Sequence, residues 1–354
     1  MRKFNRVCVL GNQHGLLQYL LLSSIDEINH TFFFFTLRGI PSSVIRKFGK
    51  MGTYIHAPLM NRLKGKIKLL DNLIDCFQLF FEYRLYFPIK YPFLLGSDLE
   101  YWGQDHVYNF HCILRNHTFC LIEDGLLNYN PFPSEIQISQ RFIKFKRILA
   151  GKNYGPLLKY AGEEKQCSDI YLTGLSDKGD VLNNPKVKIK SFVEMWNESD
   201  MEKRLYINNV FGINADMIST CKDFKHIILT QPFSEIEILT EEEKIDMYQT
   251  IVRKIGGKDI VIKPHPLEST DYTKYFPRNF VLNSTAPMQL FSLNGVKFES
   301  AYSINTTALF DFPYRIKVCV LGSEFYPALY KKRPQWTSDT VKITNKNVEI
   351  IKLN

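Results

Sequence analysis

The sequence predicts an α/β protein built from two Rossmann-like domains with parallel sheets and an interdomain cleft. Its length of 354 residues exceeds what a single hydrophobic core usually holds. The chain opens with RVCVLG at 6–11, which predicts a fully buried strand, and an apolar helical segment follows Gly11. The letters VCVLG return at 318–322, so both halves use the same kind of buried strand.

The first half alternates candidate strands with helical segments, which favours a parallel sheet covered on both faces. Runs of aromatic and β-branched residues predict further strands at 30–37, 54–57, 92–95, 118–122 and 169–172. The polar stretch 184–222 has no clean period, and we interpret it as the connection between the domains. The first domain, with this connection, is therefore predicted at 1–222.

The second domain is predicted at 223–354 and begins with the strand HIILTQ at 226–231. Thr240 then starts a helix, because Glu243 follows three residues later as in a capping box. Apolar residues recur at helical spacing up to Gly256-Gly257, which ends the helix. Further strands are predicted at 259–263, 295–299 and 317–322.

The composition favours an anionic partner without identifying it. The chain has 45 Lys+Arg against 36 Asp+Glu, a net charge of +9. Its seven cysteines include no CxxC pair, which argues against a zinc site and favours free thiols in a reducing compartment.

No apolar run reaches the ~20 residues of a membrane span. We expect a cytoplasmic protein, and the basic, aromatic stretch 141–159 is either a contact with the inner face of the membrane or a solvated helix face.

A first candidate cluster, Glu123-Asp124-Gly125, directly follows the predicted strand at 118–122. Ligand-binding residues gather beyond the carboxyl ends of parallel strands, and a carboxylate there can act as a general base. Gly125 permits a sharp exit from the strand. The alternative is a helix start whose acidic residues only complement the helix dipole.

A second cluster, Lys263-Pro264-His265-Pro266, follows the predicted strand at 259–263. The two prolines restrict the backbone on both sides of His265. We predict that Lys263, His265 and Pro266 bind a phosphate group, with the imidazole as hydrogen-bond donor or general acid. The alternative is a rigid turn with an incidental imidazole.

A third cluster contains the hydroxyl residues Ser303, Thr306 and Thr307 at the start of a helical segment. These residues present donors to an anion, or they only cap the helix. Gly11-Asn12 after the first strand is either a ligand contact or a tight turn.

Two acidic residues, Glu235 and Glu237, follow the strand at 226–231 and are candidate bases, although solvated loop acids are more common. The sequence lacks GxGxxG, GxxxxGK[ST], HExxH and DxD motifs, so neither a dinucleotide site nor a metal-chelating site is expected.

The ordered clusters resemble bacterial sialyltransferases of glycosyltransferase family 52. Such enzymes carry a D/E-D/E-G motif in the first domain, an HP motif in the second and a later Ser-Ser/Thr motif. This chain has EDG at 123–125, HP at 265–266 and TT at 306–307, and the segments LIEDGLLNY, ILTQPFSE and VIKPHP are also similar to the family. The Thr-Thr pair departs from the family pattern.

The resemblance implies the GT-B architecture, with the acceptor on the first domain and the nucleotide sugar on the second. It implies an inverting transfer of sialic acid from CMP-sialic acid to a galactose or similar sugar of lipooligosaccharide or capsule, without a cofactor or metal. Asp124 would be the base and His265 would stabilise the departing phosphate. Glu235 or Glu237 is the alternative base if the second domain supplies it.

Two other functions remain as alternatives. One is a hexosyltransferase of the same family that uses another nucleotide sugar. The other is a basic module that binds polysaccharide or nucleic acid, but nucleic acid is disfavoured because the basic residues are dispersed and no known recognition motif occurs. The sequence leaves open whether the protein forms a homodimer.

Overall fold

The chain forms two compact units in a computed structural model, and each unit contains one parallel sheet. The structure describes residues 4–36, 39–54, 73–74, 76–77, 80–96, 98–107, 113–114, 116–131, 143–150, 160–340 and 347–353. One unit comprises 1–174 and 178–191, and the other comprises 175–177 and 192–354. The segment 192–222, predicted as part of the connection, thus belongs to the second unit.

The first unit has seven described strands in the order β3-β2-β1-β4-β5-β6-β7. They are β1 (Arg6–Leu10), β2 (Thr31–Phe35), β3 (Gly52–Tyr54), β4 (Glu100–Gly103), β5 (Phe119–Ile122), β6 (Cys167–Leu172) and β7 (Val187–Ile189). The described helices of this unit are α1 (Gln13–Leu22), α2 (Ile25–Asn29), α3 (Ser42–Phe48), α4 (Phe87–Lys90) and α5 (Ile143–Ala150), with a π-helix at Phe81–Tyr86. The strand order reverses direction between β1 and β4.

The second unit has six described strands in the order β10-β9-β8-β11-β12-β13. They are β8 (His226–Leu229), β9 (Ile260–Lys263), β10 (Phe280–Val281), β11 (Ser300–Ser303), β12 (Ile316–Val320) and β13 (Val348–Ile350). Its described helices are α6 (Phe192–Glu198), α7 (Met201–Phe211), α8 (Ala215–Cys221), α9 (Glu241–Ile255), α10 (Met288–Leu293) and α11 (Pro327–Lys332). Here the strand order reverses between β8 and β11, as in a Rossmann sheet.

The two cores follow the apolar patterns of their strands and helices. All five residues of β2 are buried, and Phe33 packs on Phe48 of α3 with ring centroids 4.6 Å apart. In the second unit, α9 buries Tyr248 and Ile251 against the sheet. The predicted capping box of α9 is confirmed, because Thr240 and Glu243 exchange both bonds. Truncating one of these large buried side chains to alanine typically costs about 3–5 kcal/mol.

Two strand predictions are wrong. Residues 92–95 form a 3₁₀ helix, because Pro92 at its first position has a fixed φ and no N–H for a strand ladder. Residues 295–299 precede the strand, which runs over 300–303, and Gly295 has a φ of +84° that suits a turn. Within the predicted connection, 187–189 is a strand of the first sheet. Residues 55–57 of the strand predicted at 54–57 lie outside the described residues, as do most of 141–159.

Among the described helices, none combines the length and apolar character needed to cross a lipid bilayer.

Candidate active site

The carboxyl edge of the first sheet brings together the ends of β1, β4 and β5. Gly11-Asn12 follows β1, Gln104 follows β4, and Asp124 follows β5. Because the strand order reverses between β1 and β4, this edge has the topology at which α/β proteins bind ligands. Two of the predicted candidates, Asn12 and Asp124, therefore meet at the reversal point.

Polar contacts with residues after two neighbouring strands, β1 and β4, hold the Asp124 carboxylate. Oδ1 accepts from Asn12 Nδ2, and from Gln104 Nε2 at 3.0 Å. Oδ2 lies 2.9 Å from His106 Nε2. The Asp124 side chain stays 17% exposed, so a ligand can still reach it.

Hydrogen bonds to both the oxygen and the nitrogen of the side-chain amide fix the orientation of Asn12 and of Gln104. Asn12 Oδ1 caps α1 by accepting from Gly15 N at 2.8 Å, which leaves its Nδ2 to donate to Asp124. Gln104 is fully buried, and its Oε1 accepts from Gly11 N at 2.6 Å. Its Nε2 also donates to the Glu123 carbonyl at 3.0 Å. Gln104 thus joins the ends of β1, β4 and β5.

His106 is a titratable residue in direct contact with Asp124. Burial lowers its pKa, but the hydrogen bond and charge of Asp124, together with the charge of Asp105, outweigh this effect and raise the pKa above its ordinary 6.5. The His106 ring therefore stays protonated up to a higher pH than an ordinary histidine. Its positive charge favours negative charge at this edge of the sheet.

Glu123 is a structural carboxylate, in contrast to its neighbour. It is fully buried and accepts from the backbone N–H of Thr173, from the Thr173 hydroxyl at 2.9 Å and from Tyr129 OH at 3.2 Å. His14 Nε2 lies 3.0 Å from its Oε1. These contacts occupy both oxygens, so Glu123 ties β5 to α1 and to the end of β6.

Two glycines allow this close packing. Gly125 has a φ of +85°, which an L side chain rarely adopts, and it turns the chain sharply after Asp124 as predicted. A Cβ on Gly15 would lie 2.7 Å from Gln104 Nε2. Glycine at this position therefore lets the first turn of α1 approach the edge of the sheet.

The carboxyl edge of the second sheet carries the remaining candidates. His265 follows β9, Gln231 follows β8 and Asn305 follows β11. These strands are neighbours, and the strand order reverses between β8 and β11. Gln231 Oε1 accepts from Asn305 N at 3.3 Å, which joins the two strand ends at the reversal point.

His265 has a defined tautomer. Leu267 N–H donates to Nδ1 at 3.2 Å, so in the neutral ring Nε2 carries the hydrogen. Burial and the charge of Lys263 lower the pKa of His265 below 6.5, although Glu235 opposes the shift. At neutral pH this histidine is therefore an uncharged donor with one N–H group.

Glu268 holds the His265 loop in place. Its buried carboxylate accepts from His265 N at 2.6 Å and from Tyr272 OH at 2.6 Å, and the Thr230 hydroxyl also donates to it. Burial raises the pKa of Glu268 despite these hydrogen bonds. Lys244 Nζ lies 3.6 Å away and supplies a compensating charge.

Lys263 is buried and donates to the Ser284 carbonyl at 3.2 Å. Burial lowers its pKa to about 8, although Glu268 and Cys221 act in the opposite direction. Its ammonium group therefore loses charge more easily than that of an exposed lysine.

The two candidate acids of the second unit lie in different surroundings. Glu235 binds Lys244 Nζ at 3.0 Å and accepts from Ser269 N at 2.8 Å. Burial acts to raise its pKa, but these bonds and the Lys244 charge lower it overall, which makes this carboxylate a weak base. Glu237 is exposed and has a φ of +58° in a turn.

In the hydroxyl cluster at the end of β11, one residue makes a structural hydrogen bond and another caps a short helix. Ser303 is fully buried and donates to the Leu229 carbonyl at 2.6 Å. Thr306 caps a 3₁₀ helix at Thr307–Phe310 by accepting from Ala308 N at 3.3 Å. Asn305 Oδ1 is buried and has no hydrogen-bond partner within the described part of the chain.

Four residues of these edges were not singled out from the sequence: Gln104, His106, Glu268 and Thr230. Gln104 directly follows β4 and His106 lies two residues further on, so both lie where ligand-binding residues are expected after a parallel strand, but the sequence pattern does not predict β4. Within the described residues, no group of three or more His, Cys, Asp or Glu side chains is arranged to hold a metal ion.

Comparison with known proteins shows which family this chain is similar to. The model of glycosyltransferase family 52 matches residues 58–321. An uncharacterised protein of Haemophilus influenzae is 32% identical over 247 residues, which cover 70% of this chain and 76% of that protein.

Solved bacterial sialyltransferases share the fold at low sequence identity. An α/β-galactoside α-2,3-sialyltransferase of Photobacterium phosphoreum has a TM-score of 0.54 at 14% identity and covers 99% of both chains. A Photobacterium 2,6-sialyltransferase, solved with CMP and lactose, has a TM-score of 0.53 at 9% identity and covers 98% of this chain and 78% of its own. The GT-B domain of the Photobacterium damselae enzyme has a TM-score of 0.51 at 11% identity and covers 98% and 100%.

These structures confirm the predicted GT-B fold of two parallel-sheet α/β domains. The family match extends over most of the chain and contains the EDG, HP and TT motifs. The chain belongs to glycosyltransferase family 52.

Proposed function

We propose that this glycosyltransferase is an inverting, metal-independent sialyltransferase. It moves sialic acid from CMP-sialic acid to a terminal galactose or similar sugar of a bacterial surface glycan, either lipooligosaccharide or capsule. The observation that carries the proposal is the position of Asp124 and His265 beside the reversal points of the two sheets, where α/β proteins bind ligands. The related fold solved with CMP and lactose supports the same classes of donor and acceptor.

In this mechanism Asp124 is the base. It takes the proton of the acceptor hydroxyl while the acceptor oxygen forms a bond to C2 of sialic acid. The bond between C2 and the phosphate oxygen breaks, and CMP leaves with the electron pair. Since C2 is tertiary and bears a carboxylate, its transition state resembles an oxocarbenium ion and does not require a strong nucleophile.

His265 stabilises the negative charge that develops on the leaving phosphate. Its lowered pKa favours a neutral imidazole that donates a hydrogen bond through Nε2, rather than an imidazolium that delivers a proton. Pro266, Ser303, Thr306, Thr307 and Lys263 are proposed to shape or contact the donor site, and Gly11 and Asn12 support the base.

The decisive experiment incubates the protein with CMP-sialic acid and a panel of galactosides and measures the sialylated product and free CMP. Thermal stabilisation by CMP, UDP and GDP is measured in parallel, because a ligand that binds only the folded state stabilises by RT ln(1 + [L]/Kd). Sialylated product and preferential stabilisation by CMP are expected. Preferential stabilisation by UDP, without sialyl transfer, would favour the hexosyltransferase alternative.

We also propose peripheral contact with the inner membrane. The described helix α5 exposes Phe145 and Ile148 beside the cation Arg147, a combination that suits an anionic lipid surface. Flotation with anionic vesicles tests this contact, and failure to float with them would contradict it.

The sequence leaves open whether the protein forms a homodimer. Light scattering, which measures the mass of the particle in solution, distinguishes a monomer from a homodimer.

A further inference from the structure

The neighbouring carboxylates Glu123 and Asp124 differ in how many of their lone pairs are occupied. A carboxylate offers about four lone-pair positions to hydrogen-bond donors. Both oxygens of Glu123 accept several bonds, and this side chain is fully buried. Asp124 Oδ1 accepts from Asn12 and Gln104, whereas Oδ2 contacts His106 alone among the described residues. Within the described part of the chain, one position on Oδ2 therefore remains available to a ligand.

The position of His106 determines which lone pair of Asp124 Oδ2 is available. His106 lies three residues after the end of β4, and its side chain is 12% exposed. Its Nε2 faces Asp124 Oδ2 at 2.9 Å, and its Nδ1 lies 4.0 Å from Asp105 Oδ1. Because carboxylates flank both ring nitrogens, His106 is poorly placed to accept a proton from a ligand itself.

We propose that His106 is a positioning residue for the transfer reaction: it fixes Asp124 Oδ2 so that the remaining lone pair of this atom receives the acceptor proton. This inference rests on the proposed function and assigns the proton to one oxygen. The acceptor O–H bond breaks as its proton binds Oδ2, the acceptor oxygen bonds to C2 of sialic acid, and CMP leaves with the electrons of the broken C2–O bond. His106 keeps its own proton throughout.

The kinetic test compares His106→Ala with His106→Gln. Alanine removes the donor to Oδ2, so kcat should fall roughly 10²-fold, as for a misplaced reacting group, while the KM for CMP-sialic acid changes little. Glutamine retains an N–H donor and should recover about tenfold of the lost rate. His30→Gln, at an exposed histidine, is the matched control and should keep the wild-type rate. Equal kcat in wild type and His106→Ala would overturn the proposal, and so would equal losses in the two variants.

A second test needs no enzyme activity. Proton NMR of histidine-labelled protein follows the His106 ring, whose signal is identified by its loss in His106→Gln. In the wild type the pKa of His106 should lie above 6.5, and Asp124→Asn should lower it because the hydrogen bond and charge of Asp124 are removed. An unchanged His106 titration in Asp124→Asn would overturn the pairing. If the wild type transfers no sialic acid while His106 still responds to Asp124→Asn, the result contradicts the proposed sialyl transfer and supports the pairing.

Discussion

The strand order reverses at the carboxyl edges of both sheets, but the two edges differ in the access to their carboxylates and in the direction in which their histidine pKa is shifted. In the first unit, Asp124 is partly exposed and contacts a histidine whose pKa is raised. In the second unit, Glu235 and Glu268 are occupied by Lys244 and by backbone donors, and His265 has a lowered pKa. One edge thus offers a proton acceptor, whereas the other offers a neutral hydrogen-bond donor.

This contrast teaches that an acidic residue at a strand end is not sufficient evidence for a base. Glu123, Asp124 and Glu235 all follow or flank strand ends, yet only Asp124 combines exposure with an unoccupied lone pair within the described structure. The same contrast divides the proposed reaction, with deprotonation assigned to the first unit and departure of the phosphate to the second.

The largest effect is expected from His265. His265→Ala should lower turnover by ~10²–10⁴-fold without unfolding the protein, because it removes the donor to the leaving phosphate. His265→Gln restores an uncharged N–H and should recover part of the rate. Turnover is measured by CMP release and folding by thermal melting. If His265→Ala keeps a turnover within a few-fold of wild type, His265 has no part in the mechanism. If His265→Gln recovers none of the lost turnover, the result favours proton donation by His265.

The next effect concerns Asp124. Asp124→Asn keeps the shape of the side chain but removes its basicity, so transfer should fall ~10²-fold or more while CMP still binds. Glu235→Gln and Glu237→Gln are the comparison variants, and transfer rate with CMP affinity is measured for all three. If Asp124→Asn transfers normally while one glutamine variant is inactive yet binds CMP, the base lies in the second domain.

The polar cluster of the second unit should affect stability more than chemistry. Lys244 is fully buried and contacts the buried Glu268 and the partly exposed Glu235 and Glu241, so Lys244→Met leaves the buried Glu268 carboxylate without its cation. Breaking such a buried pair typically costs about 3–5 kcal/mol, to be measured by urea denaturation. Lys254→Met, at an exposed position of the same helix, is the control. Equal stability of both variants would refute a stabilising role for this cluster.

The smallest effect is expected from removal of metal ions. Excess EDTA should leave the transfer rate nearly unchanged, because the sequence has no DxD motif and the proposed charge stabilisation comes from His265 and its loop. Rates with EDTA are compared with rates after addition of Mg²⁺ or Mn²⁺. Complete loss with EDTA that either metal restores would indicate a metal-dependent transferase.

The sequence predicts features that depend on local patterns. The buried runs at 6–11 and 317–322, the capping box at Thr240 and the motifs at strand ends are all encoded within a few residues. The contacts of Gln104 with Gly11 and Asp124 join segments far apart in the chain, and no local period reports them. The sequence pattern also predicts a strand at 92–95 and none at Glu100–Gly103, which is β4, the strand that places Gln104 and His106.

The Glu268 contacts were missed for a different reason. The sequence shows that Glu268 lies three residues after His265, but it does not show that the Glu268 side chain is buried. A carboxylate in a loop is usually solvated. Its burial here depends on Thr230, Tyr272 and Lys244, which come from separate elements and meet only in the folded unit.

The buried amide of Gln104 has a consequence for the rate of each reaction cycle. Because this side chain joins three strand ends, the loops that carry Asn12 and Asp124 become ordered when the first unit folds. The entropy lost in fixing the base is therefore part of the free energy of folding, and it need not be lost again when an acceptor binds. Gln104→Ala should then restore freedom to these loops, so that each acceptor would have to order them before its hydroxyl could react.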